Sequence, residues 1–203
     1  MNFIYVTQQL YTNHNNESHS SLDSRWHEFF VKAGLVPVLL PNHLEIAQQI
    51  LSLGMANAAL MTGGGEFDNS GSDARSQVED YLMHWSIAHA RRLIGVCRSM
   101  QAMMQFHGAK LIPCHGQVVT KQDIVFRDQE IQVNSYHNYQ EDYLPSTFQR
   151  LAYHVTESND CITKAVIAPT LPWFGVMWHP ERLAEFRAQD VEIFSQFVKT
   201  GSL

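Results

Sequence analysis

Cys97 lies in the segment Leu93-Ile94-Gly95-Val96-Cys97-Arg98-Ser99-Met100-Gln101, between an apolar run and a stretch with helical spacing. A strand that ends at Gly-Val, then a nucleophile, then an immediate helix is the pattern of a nucleophile elbow. The turn thrusts the side chain out at the strand's carboxyl end, and the helix N-terminus offers partial positive charge to a thiolate. Small residues are needed two positions either side of the nucleophile; Gly95 meets that need and Ser99 meets it less well. A lone cysteine is ordinarily a buried core residue. A second segment, Gly175-Val176-Met177-Trp178-His179-Pro180-Glu181, changes the balance. It delivers a histidine at the end of an apolar run and a carboxylate two residues later. A cysteine nucleophile needs a base, and the base needs an orienting acceptor. Cys97, His179 and Glu181 supply those three roles. A third segment, Thr62-Gly63-Gly64-Gly65, follows another apolar run. Its backbone N–H groups could face an oxyanion, cradle a phosphate or simply make a turn. Neither a Walker A pattern nor G-x-G-x-x-G is present, so nucleotide binding through this loop has little support.

Positioning these residues is the task of the surrounding elements. Apolar runs at residues 2–6, 35–40, 58–61 and 93–96 read as buried strands. Residues 22–33, 44–51, 73–90 and 100–106 carry helical spacing, with Gly34, Gly54 and Gly108 as stops. Residues 7–21 are polar and read as a loop. Strand–helix alternation of this kind predicts βαβ units and a parallel sheet. The second half differs. Short runs at 117–120, 124–127, 131–134, 150–156, 162–168 and 173–177 read as strands, and residues 188–198 as a last helix. The expectation is one α/β domain over residues 1–203, with a mostly parallel sheet and a small antiparallel section in the second half.

Composition excludes several classes of function. The chain has 203 residues, a net charge of −6 and 45% hydrophobic residues. That balance supports a full core and argues against binding to nucleic acid or to an anionic membrane surface. Cys97, Cys114 and Cys161 are three, with no C-x-x-C spacing, so a disulfide framework is not expected and a reducing cytoplasm is. Cys114-His115 has no third or fourth ligand at suitable spacing, so no metal is expected. The first residues lack the features of a signal peptide, and no run reaches transmembrane length.

Taken together, the segments resemble the class I glutamine amidotransferase superfamily, and within it the γ-glutamyl hydrolase-type branch. That pattern has T/S-G-G at the oxyanion loop, G-V/I-C-R-G-M-Q at the elbow, V-N-S-x-H in a substrate loop and G-V-Q/M-W/F-H-P-E at the base. Here they are Thr62-Gly63-Gly64, Gly95 to Gln101, Val133-Asn134-Ser135-Tyr136-His137 and Gly175 to Glu181. Asp73-Ala74-Arg75-Ser76-Gln77-Val78-Glu79 resembles the R-D-x-x-E segment of the same branch. The departure is Ser99, where glycine is usual.

The resemblance implies a flavodoxin-like fold with the site at the carboxyl ends of the strands. It implies that Cys97 attacks a γ-glutamyl carbonyl, that His179 moves the proton and that Glu181 orients His179. Backbone N–H groups of Gly64 and Arg98 would form the oxyanion hole. Gly63, Gln101, Ser135, Tyr136 and His137 would surround the glutamyl group, and no cofactor is implied. A synthetase domain does not fit in 203 residues beside the hydrolase, so an ammonia acceptor would be a separate subunit. The other reaction is free-standing hydrolysis of a γ-glutamyl amide of a small amine. Residues 22–30 and 34–42 resemble short amidotransferase-like proteins of bacterial surface-polysaccharide gene sets, which implies a leaving group with phosphate and nucleotide character. Arg75, the Arg98 side chain and groups in residues 7–21 are then candidate phosphate contacts. A homodimer is left open. A binding module that keeps the fold without turnover, and a peptidase on the same fold, are the rival classes. The retained triad argues against the first; Gln101 and the Val133–His137 segment argue against the second.

Overall fold

The computed structural model describes residues 2–65 and 72–203. Glu66, Phe67 and Asp68, which follow the glycines in the sequence, lie outside the described residues. The first half alternates as expected. Strand β1 (Asn2–Thr7) leads through a hairpin, β2 (Gln9–Thr12) and β3 (Ser18–Ser21), to helix α1 (Arg25–Ala33). Then come β4 (Leu35–Leu40), α2 (Leu44–Ser52), β5 (Ala58–Met61), α3 (Ala74–His89), β6 (Arg92–Val96) and α4 (Arg98–Phe106). The second half runs β7 (Leu111–Pro113), β8 (Val118–Phe126), β9 (Gln129–Tyr136), β10 (Tyr139–Glu141), β11 (Gln149–Val155), β12 (Cys161–Ala168) and β13 (Trp173–Val176). A 3-10 turn (Pro180–Arg182) and helix α5 (Ala188–Thr200) close it.

The main sheet has the order β4-β1-β5-β6-β13-β12-β11-β8-β9. The first five strands are mutually parallel, and the last four continue the same sheet in antiparallel pairing. The expected α/β architecture is therefore present. The crossover from β1 to β4 runs in one direction and those from β4 through β5 to β6 in the other. Right-handed connections then place the helices on opposite faces. Accordingly α1 packs on α5, whereas α2 packs on α3 and α3 on α4. Trp26 and Phe29 of α1 meet Phe194 of α5, and Phe30 packs on both, in the aromatic part of the core.

Three local expectations are corrected. Residues 7–21 form the β2–β3 hairpin rather than a loop. Its strands are too polar to show apolar alternation, and the turn is made by the Asn13 side chain, which accepts from the N–H groups of Asn15 and Glu17. β4 is an edge strand, not a fully covered one, which suits Pro37, a residue without a ladder donor. The runs at 117–120 and 124–127 are one strand, β8, whose register slips between Val119 and Gln122. Among the described residues no helix is long and apolar enough to cross a membrane.

Candidate active site

β5, β6 and β13 are neighbouring parallel strands, and each ends in one of the chemical segments. The carboxyl ends of parallel strands are where an open α/β sheet binds ligands, because the connecting loops diverge there. Cys97 sits between β6 and α4 with φ 50° and ψ −110°, a conformation that costs a non-glycine residue energy. The strain is held by close packing. A Cβ on Gly95 would lie 3.0 Å from the backbone of both Ser99 and Met100, so the helix can start this close only over a glycine. Cys97 is nearly buried, and its thiol points to the Tyr136 carbonyl at 3.9 Å.

His179 follows β13 and is buried. Its Nδ1 is 2.7 Å from Glu181 Oε1, and its ring and the Cys97 side chain both lie against Gly63. Burial alone would lower the pKa of this imidazole. The bonds and charges of Cys97 and Glu181 outweigh it and raise His179 to about 9. Asn134 in β9 holds the His179 backbone at both ends: its Oδ1 accepts from the His179 N–H and its Nδ2 donates to the His179 carbonyl, each at 2.8 Å. The sequence places Asn134 within the V-N-S-x-H segment, but its bonds to His179 come from the fold.

The glycine loop is held from behind. The Thr62 N–H donates to Thr7 Oγ1 and the Thr62 hydroxyl to the Thr7 carbonyl, both at 3.0 Å. Gln9 Nε2 donates to the Gly63 carbonyl at 3.0 Å. The Arg75 guanidinium is buried; it donates to the carbonyls of Thr62 and Gly64 and pairs with Glu79 at 2.8 Å. Glu79 also pairs with the Arg98 guanidinium, which in turn bonds Ser76 Oγ at 3.0 Å. Ser99 Oγ lies 2.7 Å from the Thr62 carbonyl and 3.0 Å from Glu79 Oε1, so its hydroxyl ties the elbow helix to the glycine loop. Both arginine side chains offered as phosphate contacts are thus engaged inside the protein.

A cleft of about 460 Å³ is lined by Gly64, Gly65, Cys97, Arg98, Gln101, Tyr136, His137, Asn138 and Tyr139. It brings together Gly64, Arg98, Gln101, Tyr136 and His137 beside the nucleophile. Gly63, Ser135 and Arg75 do not line it, although Gly63 lies against His179 and Cys97. Gln101 Nε2 donates to the Tyr139 carbonyl at 2.7 Å, across the cleft floor. His137 has both ring nitrogens occupied: Nε2 accepts from Lys164 Nζ at 2.7 Å, leaving Nδ1–H to donate to the Tyr139 carbonyl at 2.9 Å. Burial, helped by the Lys164 charge, lowers His137 to about 3, so it is neutral. Lys164 is buried, its ammonium is lowered to about 7 by that burial, and it also donates to Gln117 and Ser135. Nothing in the sequence around Lys164 marked it, because its partners come from the end of β9, the residue after it and the segment before β8. Among the described residues no group of histidine, cysteine and carboxylate side chains could hold a metal ion.

The glutamine amidotransferase class-I family profile matches residues 17–200. The chain belongs to the class I glutamine amidotransferase family. No curated protein sequence matches it significantly. Solved structures share the amidotransferase fold at low identity. A Thermoplasma acidophilum protein assigned as one of the subunits of GMP synthase is 18% identical with a TM-score of 0.73, over 99% of this chain and 94% of that one. The glutaminase domain of Trypanosoma brucei CTPS, solved with bound acivicin, is 12% identical with a TM-score of 0.72, over 98% and 94%. A glutamine amidotransferase from Thermotoga maritima is 13% identical with a TM-score of 0.69, over 98% and 84%.

Proposed function

We propose that this amidotransferase domain is a cysteine-dependent hydrolase of γ-glutamyl amides. The observation that carries the reading is Cys97, held at a strained elbow beside a His179 whose Nδ1 lies 2.7 Å from Glu181. The Cys97 sulfur attacks the γ-carbonyl carbon, and the carbonyl oxygen takes negative charge between the N–H groups of Gly64 and Arg98. Arg98 heads α4, where the helix N-terminus carries partial positive charge. His179 gives its proton to the departing nitrogen as the C–N bond breaks, leaving a γ-glutamyl thioester. Loss of the thiolate charge removes a main cause of the raised His179 pKa, so the imidazole is then better able to accept a proton from water. Water attacks the thioester carbon, glutamate leaves, and the thiol returns.

The substrate we favour is γ-glutamyl-CDP-amidate, whose hydrolysis gives glutamate and cytidine diphosphoramidate for phosphoramidate modification of capsule or other surface polysaccharide. The likeness of residues 22–30 and 34–42 to small amidotransferase-like proteins of surface-polysaccharide gene sets supports it. The same segment buttresses the site: Arg25 in α1 donates to the carbonyls of Leu183 and Ala184, just beyond the triad. The second reading is a glutaminase subunit that passes ammonia from glutamine to a separate synthetase. It is favoured by the solved neighbours, which include a CTPS glutaminase domain and a GMP synthase subunit.

One experiment separates them. Glutamate release is followed from glutamine, a simple γ-glutamyl amide and γ-glutamyl-CDP-amidate, with wild type and Cys97→Ala. A strong preference for the nucleotide adduct supports the hydrolase, and equal or faster turnover of glutamine supports the glutaminase reading. Cys97→Ala should abolish turnover; activity within about tenfold of wild type would overturn the mechanism.

A further inference from the structure

A leaving amine that carries phosphoryl oxygens places negative charge beside His179, and something must receive it. Arg75 and Arg98 do not, since their guanidinium groups are engaged behind the glycine loop. Arg182 is placed differently. It ends the 3-10 turn that carries Glu181, and its backbone N–H donates to the His179 carbonyl at 3.1 Å. Its guanidinium carbon lies 5.3 Å from the centre of the Tyr136 ring. Its Nη2 is 3.3 Å from the point a Cβ on Gly64 would occupy. Its Nε is 3.6 Å from Glu181 Oε1, and the side chain is 32% exposed. Among the described residues neither Nη atom donates a hydrogen bond. Tyr136 and Gly64 both line the cleft with Cys97. The guanidinium therefore lies beside two residues of the cleft wall and is partly exposed.

The mechanism says which end of the substrate this is. The scissile nitrogen must lie against His179, because His179 protonates it. Arg182 shares Glu181 with His179 and faces the ring of Tyr136, which itself meets the His179 ring edge-on at 5.9 Å. It is thus on the nitrogen's side. The glutamyl group extends the other way, toward Gln101 and Tyr139.

We propose that Arg182 is a specificity residue that binds the anionic group of the leaving amine, and that the group is phosphoryl in character. This deepens the γ-glutamyl amide reading and rests on it. A guanidinium presents a planar fork that matches two phosphoryl oxygens, and stacking on an aromatic face preorganises it without neutralising its charge. Glu181 restrains the near edge through Nε and leaves the far edge for the ligand.

The test has two arms. In the first, kcat and KM are measured for γ-glutamyl-CDP-amidate and for neutral γ-glutamyl methylamide. Arg182→Gln should lower the ratio of the two kcat/KM values roughly ten- to a hundredfold, and Arg182→Lys should recover part of it. Equal loss on both substrates overturns the assignment, because the methylamide shares only the glutamyl end; Arg182 would then serve the glutamyl carboxylate or Glu181. The second arm needs no turnover. Binding of pyrophosphate is measured by calorimetry on Cys97→Ala protein, with and without Arg182→Gln. Weakening of about tenfold or more supports the anion site, and no weakening overturns it. Should wild type cleave neither amide, the γ-glutamyl reading fails, and the second arm still decides Arg182.

Discussion

Ser99 departs from the family pattern, and the structure gives the serine a task. A glycine there would leave the Thr62 carbonyl and Glu79 with one donor fewer in a buried place. The loss of a buried hydrogen bond, with glycine's lower helix propensity, predicts that Ser99→Gly is destabilised by about 1–2 kcal/mol. Activity should fall only modestly, since Gly95 already makes the close approach at the elbow. Denaturant unfolding of the two proteins checks the first part; a variant as stable as wild type would show that the hydroxyl contributes nothing. Lys164 makes a related point. Its buried ammonium fixes His137 as a neutral donor to the Tyr139 carbonyl, so His137 shapes the cleft wall with its ring nitrogens already committed.

The glycine loop is an element defined by what leans on it. A Cβ on Gly63 would come within 2.5 Å of His179 Cε1 and 3.2 Å of Cys97 Cβ, and both neighbours are buried. Gly63→Ala should therefore displace the imidazole from the thiol while leaving the sheet intact. A displacement of about 1 Å in a reacting pair costs about a hundredfold, so kcat should fall at least that far with the far-ultraviolet circular dichroism unchanged. Full activity would mean that the loop yields more easily than its clamps suggest. Those clamps come from Thr7, Gln9, Arg75 and Ser99, which belong to β1, β2, α3 and α4. Gln9, Arg75 and Ser99 hold three consecutive carbonyls, and Thr7 holds the Thr62 N–H and hydroxyl.

At the scale of the whole molecule, His179 couples folding to pH. Burial opposes its charge, yet Cys97 and Glu181 raise its pKa from 6.5 to about 9 in the folded chain. A raised pKa stabilises the fold fully below the unfolded value and loses that contribution as pH rises through the folded one. The contribution of His179 should therefore be complete below pH 6.5 and fade toward about pH 9. In Cys97→Ala the largest raising cause is gone, so the contribution should be smaller and its fade should end at lower pH. Superimposable stability curves for the two proteins across that window would contradict the coupling. The same titration predicts an alkaline limb in kcat/KM, moved to lower pH by Glu181→Gln.

Much of this was legible in the chain itself. Apolar runs alternating with helical spacing gave away the parallel half of the sheet, because strands covered on both faces have to be apolar throughout. Cys97 stood out because it directly follows such a run, and His179 and Glu181 because they come within a few residues of another, where the connection must turn. The β2–β3 hairpin was not, since its residues are polar and its turn rests on one asparagine side chain. Nor were the duties of Arg75, Asn134 and Lys164, because a buried polar side chain is explained by partners that only the tertiary fold supplies. Arg182 shows the same division. The sequence places it one residue beyond Glu181, and only the packing of that turn sets its guanidinium beside Tyr136 and Gly64 at the cleft.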